Sequence, residues 1–149
     1  MPTISMTVRG SEQLRRNLAR LSGRERRQAQ ADGLEAGARV YETAVKVLLS
    51  QPGSGETYTR GGVSHTASAP GQPPAVDTGT LRGSIQVEEP VTPTQAIIAT
   101  HTDYAEFLEF GTSRMAARPY MRPALDENEG EIIGAVEATV AAFVESVRA

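Results

Sequence analysis

Between Ser50 and Val76 the chain reads SQPGSGETYTRGGVSHTASAPGQPPAV, rich in Gly, Pro, Ser and Thr and almost without apolar periodicity. A loop this long inside a compact domain is uncommon and is usually functional or disordered. The ordered structure must therefore come from two separate runs, one on each side, that meet to form a core. The loop reads as an extended arm, mobile in the free chain, that orders against a neighbour.

In the first run, Ile4, Met6 and Val8 alternate with polar residues, the period-2 pattern of a half-buried strand. Gly10 breaks the alternation, and Ser11 is placed to cap a helix bearing Leu14, Leu18 and Leu21 on one face. After Gly23 a longer helix is expected to about Leu49, with Leu34, Ala38, Tyr41, Val45 and Leu48 as its apolar stripe. The second run starts at DTGTLRGSI, where Asp77 or Thr78 can cap a short turn packed through Leu81. Strands follow from Ser84 to Glu89 and from Gln95 to His101, with Pro90 and Pro93 in the hairpin connection. A short helix, DYAEFLEFG, presents Tyr104, Phe107 and Leu108 as its apolar side and ends at Gly111 in a left-handed cap. Pro119 and Pro123 keep the next segment irregular, and Pro123 suits the first turn of a final helix. That helix carries Ile132 or Ile133, Val136, Val140, Phe143 and Val147 inward, and Glu127, Glu129 and Glu131 in its first turns suit the helix dipole.

The order predicts one α+β domain over residues 1–149. A small antiparallel sheet of about three or four strands packs against a long N-terminal helix and a C-terminal helix. The length suffices for a modest core, but aromatics are 5% of the chain and Trp is absent, so part of the burial is expected from other chains. There is no Cys, which excludes disulfides, thiolate metal sites and cysteine nucleophiles. No apolar run is long enough to span a bilayer, and the start, MPTISMTVRG, lacks the pattern of a signal peptide. The expectation is a soluble protein made in the cytoplasm, with no membrane partner.

Charge divides the chain. Through Arg60 there are 10 basic and 6 acidic residues, a net +4; from Gly61 onward there are 5 and 12, a net −7, summing to −3. Opposite signs favour head-to-tail contact between identical copies, which closes into rings when the rotation permits. Arg15, Arg16, Arg20, Arg24, Arg26 and Arg27 lie off the apolar stripes and form either a phosphate-binding stripe or a solvated or inter-subunit face. The acidic total and scarce aromatics speak against nucleic-acid binding.

Evidence for catalysis is missing. GSGET at Gly53–Thr57 lacks the spacing and lysine of a phosphate loop. His101 stands two residues from Asp103, an arrangement more ordinary for a loop histidine beside a capping aspartate than for an acid–base pair. No metal-ligand cluster, no cofactor motif and no nucleophile elbow occurs.

The densest chemistry lies in YAEFLEFGTSRMAARPYMRPAL, from Tyr104 to Leu125, which concentrates aromatics, prolines and the arginines Arg114, Arg118 and Arg122. Arg118 and Arg122 bracket Pro119-Tyr120, so a rigid turn would offer both guanidiniums to a carboxylate, with Glu106 or Glu109 as acceptors within or between subunits. Together with DTGTLRGSI, this segment resembles the tail-component family of lambdoid and other long-tailed bacteriophages. The family pattern is P-x-x-TG-x-L-x-x-SI, then YA-x-x-x-E-x-GT, then a basic residue with P-[FY]-[ILM]-x-PA. Matching positions are Thr78, Gly79, Leu81, Ser84, Tyr104, Ala105, Glu109, Gly111, Thr112, Pro119, Tyr120, Pro123 and Ala124.

The resemblance implies a non-enzymatic virion protein of the neck or tail-completion region. It would form a ring between head connector and tail tube, around the channel through which genomic DNA passes without sequence-specific binding. Six copies follow from tail symmetry, with twelve as the connector-side alternative. The expected partners are other neck, connector and tail-tube proteins, with no cofactor. The assembly surface is expected at Tyr104, Glu109, Gly111, Thr112, Arg114, Arg118, Tyr120 and Arg122. The alternatives are a DNA-binding module using the N-terminal arginines, or a tail-terminator or head-closure protein.

Overall fold

The computed structural model describes residues 12–148. The strand expected around Ile4–Val8 and the cap expected at Ser11 lie outside them. Helix α1 (Glu12–Ala19) is short, and Ser22 starts its successor. Ser22 Oγ accepts the Glu25 N–H while Glu25 accepts the Ser22 N–H at 2.8 Å, a reciprocal capping box. From there α2 (Gly23–Leu48) runs close to the expected length. Between the two helices, the Arg26 guanidinium donates to the carbonyls of Leu18 and Leu21, satisfying groups that the end of α1 leaves open.

The inward face of α2 is Ala29, Gly33, Gly37, Ala38, Tyr41 and Val45, smaller than the stripe read from the sequence; Leu34 and Leu48 are only half-buried. Its small residues answer the last helix, α5 (Met121–Arg148), whose buried row is Ile132, Val136, Val140 and Val144. Gly33 faces Val140 and Val136, and Gly37 faces Val136 and Ile132, so the two helices run antiparallel along matching i, i+4 rows. A Cβ on Gly37 would stand 2.8 Å from a Val136 methyl carbon, so this approach is closed to larger residues. The row sharpens the sequence reading: of Ile132 and Ile133 it is Ile132 that is fully buried, Val144 joins the row, Phe143 packs half-buried beside it, and Val147 turns out, 44% exposed. The strict four-residue step of the valines wins because it is what the glycine row opposite accommodates. At roughly 1.5–3 kcal/mol per buried aliphatic side chain, this row outweighs the exposed ion pairs of α2, worth about 1 kcal/mol or less each.

After the loop, α3 (Thr80–Ser84) buries Leu81 and leads into a hairpin of β3 (Gln86–Thr92) and β4 (Gln95–Ala99). The pair is antiparallel, with Val87 opposite Ile98, and irregular between Glu88 and Thr92, where Pro90 cannot donate to the ladder. Its inner side, Ile85, Val87 and Ile98, packs with Ala38, Tyr41, Val45, Tyr120, Met121 and Ile132 in the main core. Helix α4 (Ala105–Phe110) precedes the irregular stretch before α5.

The fold is α+β, but the strands do not join into one sheet. The residue 50–76 segment contains its own hairpin, β1 (Thr57–Arg60) and β2 (Val63–Thr66), paired Thr57 to Thr66 and Tyr58 to His65. Its two-residue turn, Gly61-Gly62, has φ of 58° and 83°, the positive values that tight hairpins need. Neither strand offers an apolar face, so the hairpin stands as a separate two-stranded sheet rather than extending β3–β4. The segment is also tied down: the Gly71 N–H donates to the Ala117 carbonyl at 3.0 Å.

Candidate assembly surface

Helix α4 keeps only Leu108 of its expected apolar side against the core. Its buried side is Ala105 and Glu109, with Leu108 half-buried, while Tyr104, Phe107 and Phe110 are 43%, 53% and 66% exposed. The aromatics face outward because the inner side of this short helix is committed to a carboxylate.

That carboxylate organises the motif region. Glu109 Oε2 accepts the backbone N–H groups of Tyr120 and Met121 at 2.8 and 3.0 Å, and Oε1 accepts that of Arg122 at 3.0 Å. Pro123 has no N–H to satisfy. The open donors at the start of α5 are thus met by one buried side chain, and its negative charge sits at the positive end of a long helix. Tyr120 is fully buried and donates to the Ala105 carbonyl at 3.3 Å; Tyr41 donates to the Met121 carbonyl at 2.9 Å. Burial, and then the nearby Glu109 carboxylate, raises both phenols well above the ordinary tyrosine value.

The two-arginine clamp on Glu109 does not form within the subunit, because backbone N–H groups already occupy both oxygens. Arg122 instead pairs with Asp126 on the exposed surface, its Nε 3.2 Å from both carboxylate oxygens. Arg118 donates its backbone N–H to the Leu108 carbonyl at 2.7 Å. Its Nε is buried with no hydrogen-bond partner among the described residues. Glu109 and Tyr120, only 5% and 0% exposed, act on the fold and do not reach the surface.

Gly111 does end α4, its N–H donating to the Phe107 carbonyl at 2.9 Å. It differs from a left-handed cap, with φ 74° and ψ −179°, a region essentially reserved for glycine. Thr112 then closes a tight turn, its hydroxyl accepting the N–H groups of Arg114 and Met115. At the other motif block, Gly79 rather than Asp77 or Thr78 holds the cap position of α3, and Thr78 Oγ1 accepts the Thr80 N–H at 3.3 Å. Ser84 Oγ bonds the Leu81 carbonyl at 2.8 Å and meets Thr100 Oγ1 at 2.7 Å, joining α3 to the end of β4. Ala124 and Pro119 flank Tyr120 and Met121, with Ala124 buried in the core. Most positions of the pattern are therefore internal joints.

Between the β1–β2 hairpin, the chain from Pro74 to Arg82, and the Tyr104–Leu108 side of α4 lies a cleft of about 240 Å³. Apolar walls come from Leu49, Leu81 and Leu108, and cations from Arg82 and Arg118. Ser68 on its wall is 5% exposed, and its Oγ has no partner among the described residues. Tyr58 stacks edge-on against His65, with centroids 5.2 Å apart, and His65 Nδ1 lies 3.9 Å from Asp77 Oδ1. The sequence reading saw no hairpin here and gave Tyr58 and Ser68 no role. The available signal was the Gly61-Gly62 pair between TYTR and VSHT.

The remaining polar groups show no convergent chemistry. His101 meets Glu88 across the hairpin at 2.9 Å rather than Asp103. Among the described residues no group of three His, Asp or Glu side chains could hold a metal ion, and no helix is long and apolar enough to cross a membrane. Of the N-terminal arginines, Arg15 and Arg16 both pair with Glu12, and Arg26 serves the α1–α2 joint.

One family model matches: residues 12–111 fit the HK97-gp10-like family, described as "Bacteriophage HK97-gp10, putative tail-component". The match spans α1 to the end of α4 and covers the Thr78–Ser84 and Tyr104–Gly111 blocks; the Pro119–Ala124 block lies beyond it. No curated protein and no solved structure matches the chain.

Proposed function

Because this chain belongs to the HK97-gp10-like family of bacteriophage tail components, we propose that it forms a ring at the head–tail junction, around the DNA channel. The observation that carries this reading is the outward aromatic face of α4. Tyr104, Phe107 and Phe110 are all exposed within one short helix, although the chain has few aromatics to spare. Such a patch rimmed by polar residues marks a protein contact. The division of charge, +4 before Gly61 and −7 after, supports contact between unlike faces of identical copies. Hexameric symmetry matches the tail, and a dodecamer would match the connector. Tyr104, Thr112 and Arg114 are exposed, as is Arg122 on α5, and are the residues assigned to that surface.

The role is structural rather than enzymatic, and its site is the neck of the virion. An acidic channel lining would let DNA slide, since few phosphates would be held by cations. Cryo-electron microscopy focused on the neck of purified particles tests the reading. A ring of this chain between connector and tail tube, with carboxylates toward the lumen, is the expected result. A lumen lined by Arg15 to Arg27 overturns the channel orientation, and absence of the chain from mature particles overturns the ring.

A further inference from the structure

We infer that the cleft between the β1–β2 hairpin and α4 receives the α4 knob of a second copy of this chain, in a head-to-tail contact. The inference rests on the ring reading and names its two contacting surfaces.

The cleft is built for a ligand that is both apolar and anionic. Leucine side chains form its walls, and two cationic residues, Arg82 and Arg118, line it against the single carboxylate of Asp77. Guanidinium groups only donate hydrogen bonds, so the lining favours an acceptor of negative charge. The apolar walls suit a side chain rather than a nucleic-acid backbone.

The same chain carries the complementary shape. On α4, Glu106, Phe107 and Phe110 are all exposed, with i, i+3 and i, i+4 spacings that place them on one face. Two phenylalanines beside a carboxylate match leucine walls beside two arginines. Of the residues that line the cleft from this region, Leu108 falls on the side of α4 away from Phe110, while Tyr104, three residues before Phe107, borders both surfaces. Knob and cleft are thus neighbouring patches of one subunit that face different ways. A copy cannot fill its own cleft with its own knob, and the contact is heterologous, the kind that propagates around a ring.

The experiment replaces Phe110, 66% exposed, with benzoylphenylalanine. An equal mixture of isotopically heavy and light full-length chain, and assembled particles, are then photocrosslinked. Crosslinks between copies that map to Tyr58–Ser68 or Val76–Arg82 are expected. A parallel test uses native mass spectrometry. Phe107→Ser with Phe110→Ser should weaken self-association at least about tenfold, and Arg118→Glu should do the same from the other side. Mixing these two variants should restore a one-to-one pair and no larger species, because one intact knob meets one intact cleft. Circular dichroism melting confirms that each variant is folded; if Arg118→Glu is not, Arg82→Glu takes its place at the rim. A ring whose crosslinks fall elsewhere, or onto another protein, overturns the knob-in-cleft contact and leaves the ring standing. A chain that neither associates nor crosslinks to itself in particles overturns both.

Discussion

The α2–α5 seam and the junction between α4 and α5 hold the same helix by opposite means. Along the seam, α5 is fixed by shape: Ile132, Val136 and Val140 fill the space that Gly33 and Gly37 leave open. At the junction it is fixed by one buried charge, the Glu109 carboxylate that accepts three backbone N–H groups. Apolar packing is spread over many small contacts and degrades gradually. A polar joint concentrates its free energy in a single side chain, and its loss leaves donors stranded.

This contrast can be broken at either end. Glu109→Ala strands three N–H groups at the start of α5 and should cost about 3–5 kcal/mol, from about 1.5–3 per charge-assisted bond less partial rescue by water. Glu109→Gln keeps the shape but offers only one acceptor oxygen, so it should recover less than half of that loss in urea denaturation. If Glu109→Gln equals the parent chain, the charge is unimportant and the joint is steric. Gly37→Ala forces a carbon against Val136 and should cost about 1–3 kcal/mol. Combining it with Val136→Ala should recover part of the loss, whereas an additive double variant would show that the helices do not meet there. The smallest effect is expected with pH. Tyr41 and Tyr120 hold their protons in the folded state beyond the ordinary value of about 10. Their contribution is complete below that pH and is lost as pH rises above it, because the unfolded chain ionises first. Tyr120→Phe should flatten this alkaline decline, and an unchanged slope would assign it to other groups.

The two regions also differed in how far they could be read from sequence. The seam was legible, since Val136 and Val140 at helical spacing announce a buried face and a long helix was expected after Gly23. Its end was misread at Val147, which is as apolar as Val144, and only the opposing row selects between them. The junction was legible as a motif but not as a mechanism. Glu109 was assigned to arginine side chains, the usual partners of a carboxylate, whereas the structure gives it to backbone donors that no side-chain pattern reveals. Phe107 was placed inside for the same reason: apolarity predicts burial only when no better claimant holds the inner face. The β1–β2 hairpin was hidden by its exposed, polar strands, which carry no alternation of hydropathy.

The spacing of the α2 glycines carries one more consequence. Gly33 and Gly37 are followed, one turn later, by Tyr41, so the row of small residues ends at a fully buried ring whose hydroxyl donates to the Met121 carbonyl at 2.9 Å. A slip of α5 by one turn, about 5.4 Å, would break that bond and leave a buried phenol unpaired. The seam therefore works as a ruler with a stop: it sets where α5 begins to within less than a turn, and with it the place where Glu109 must stand.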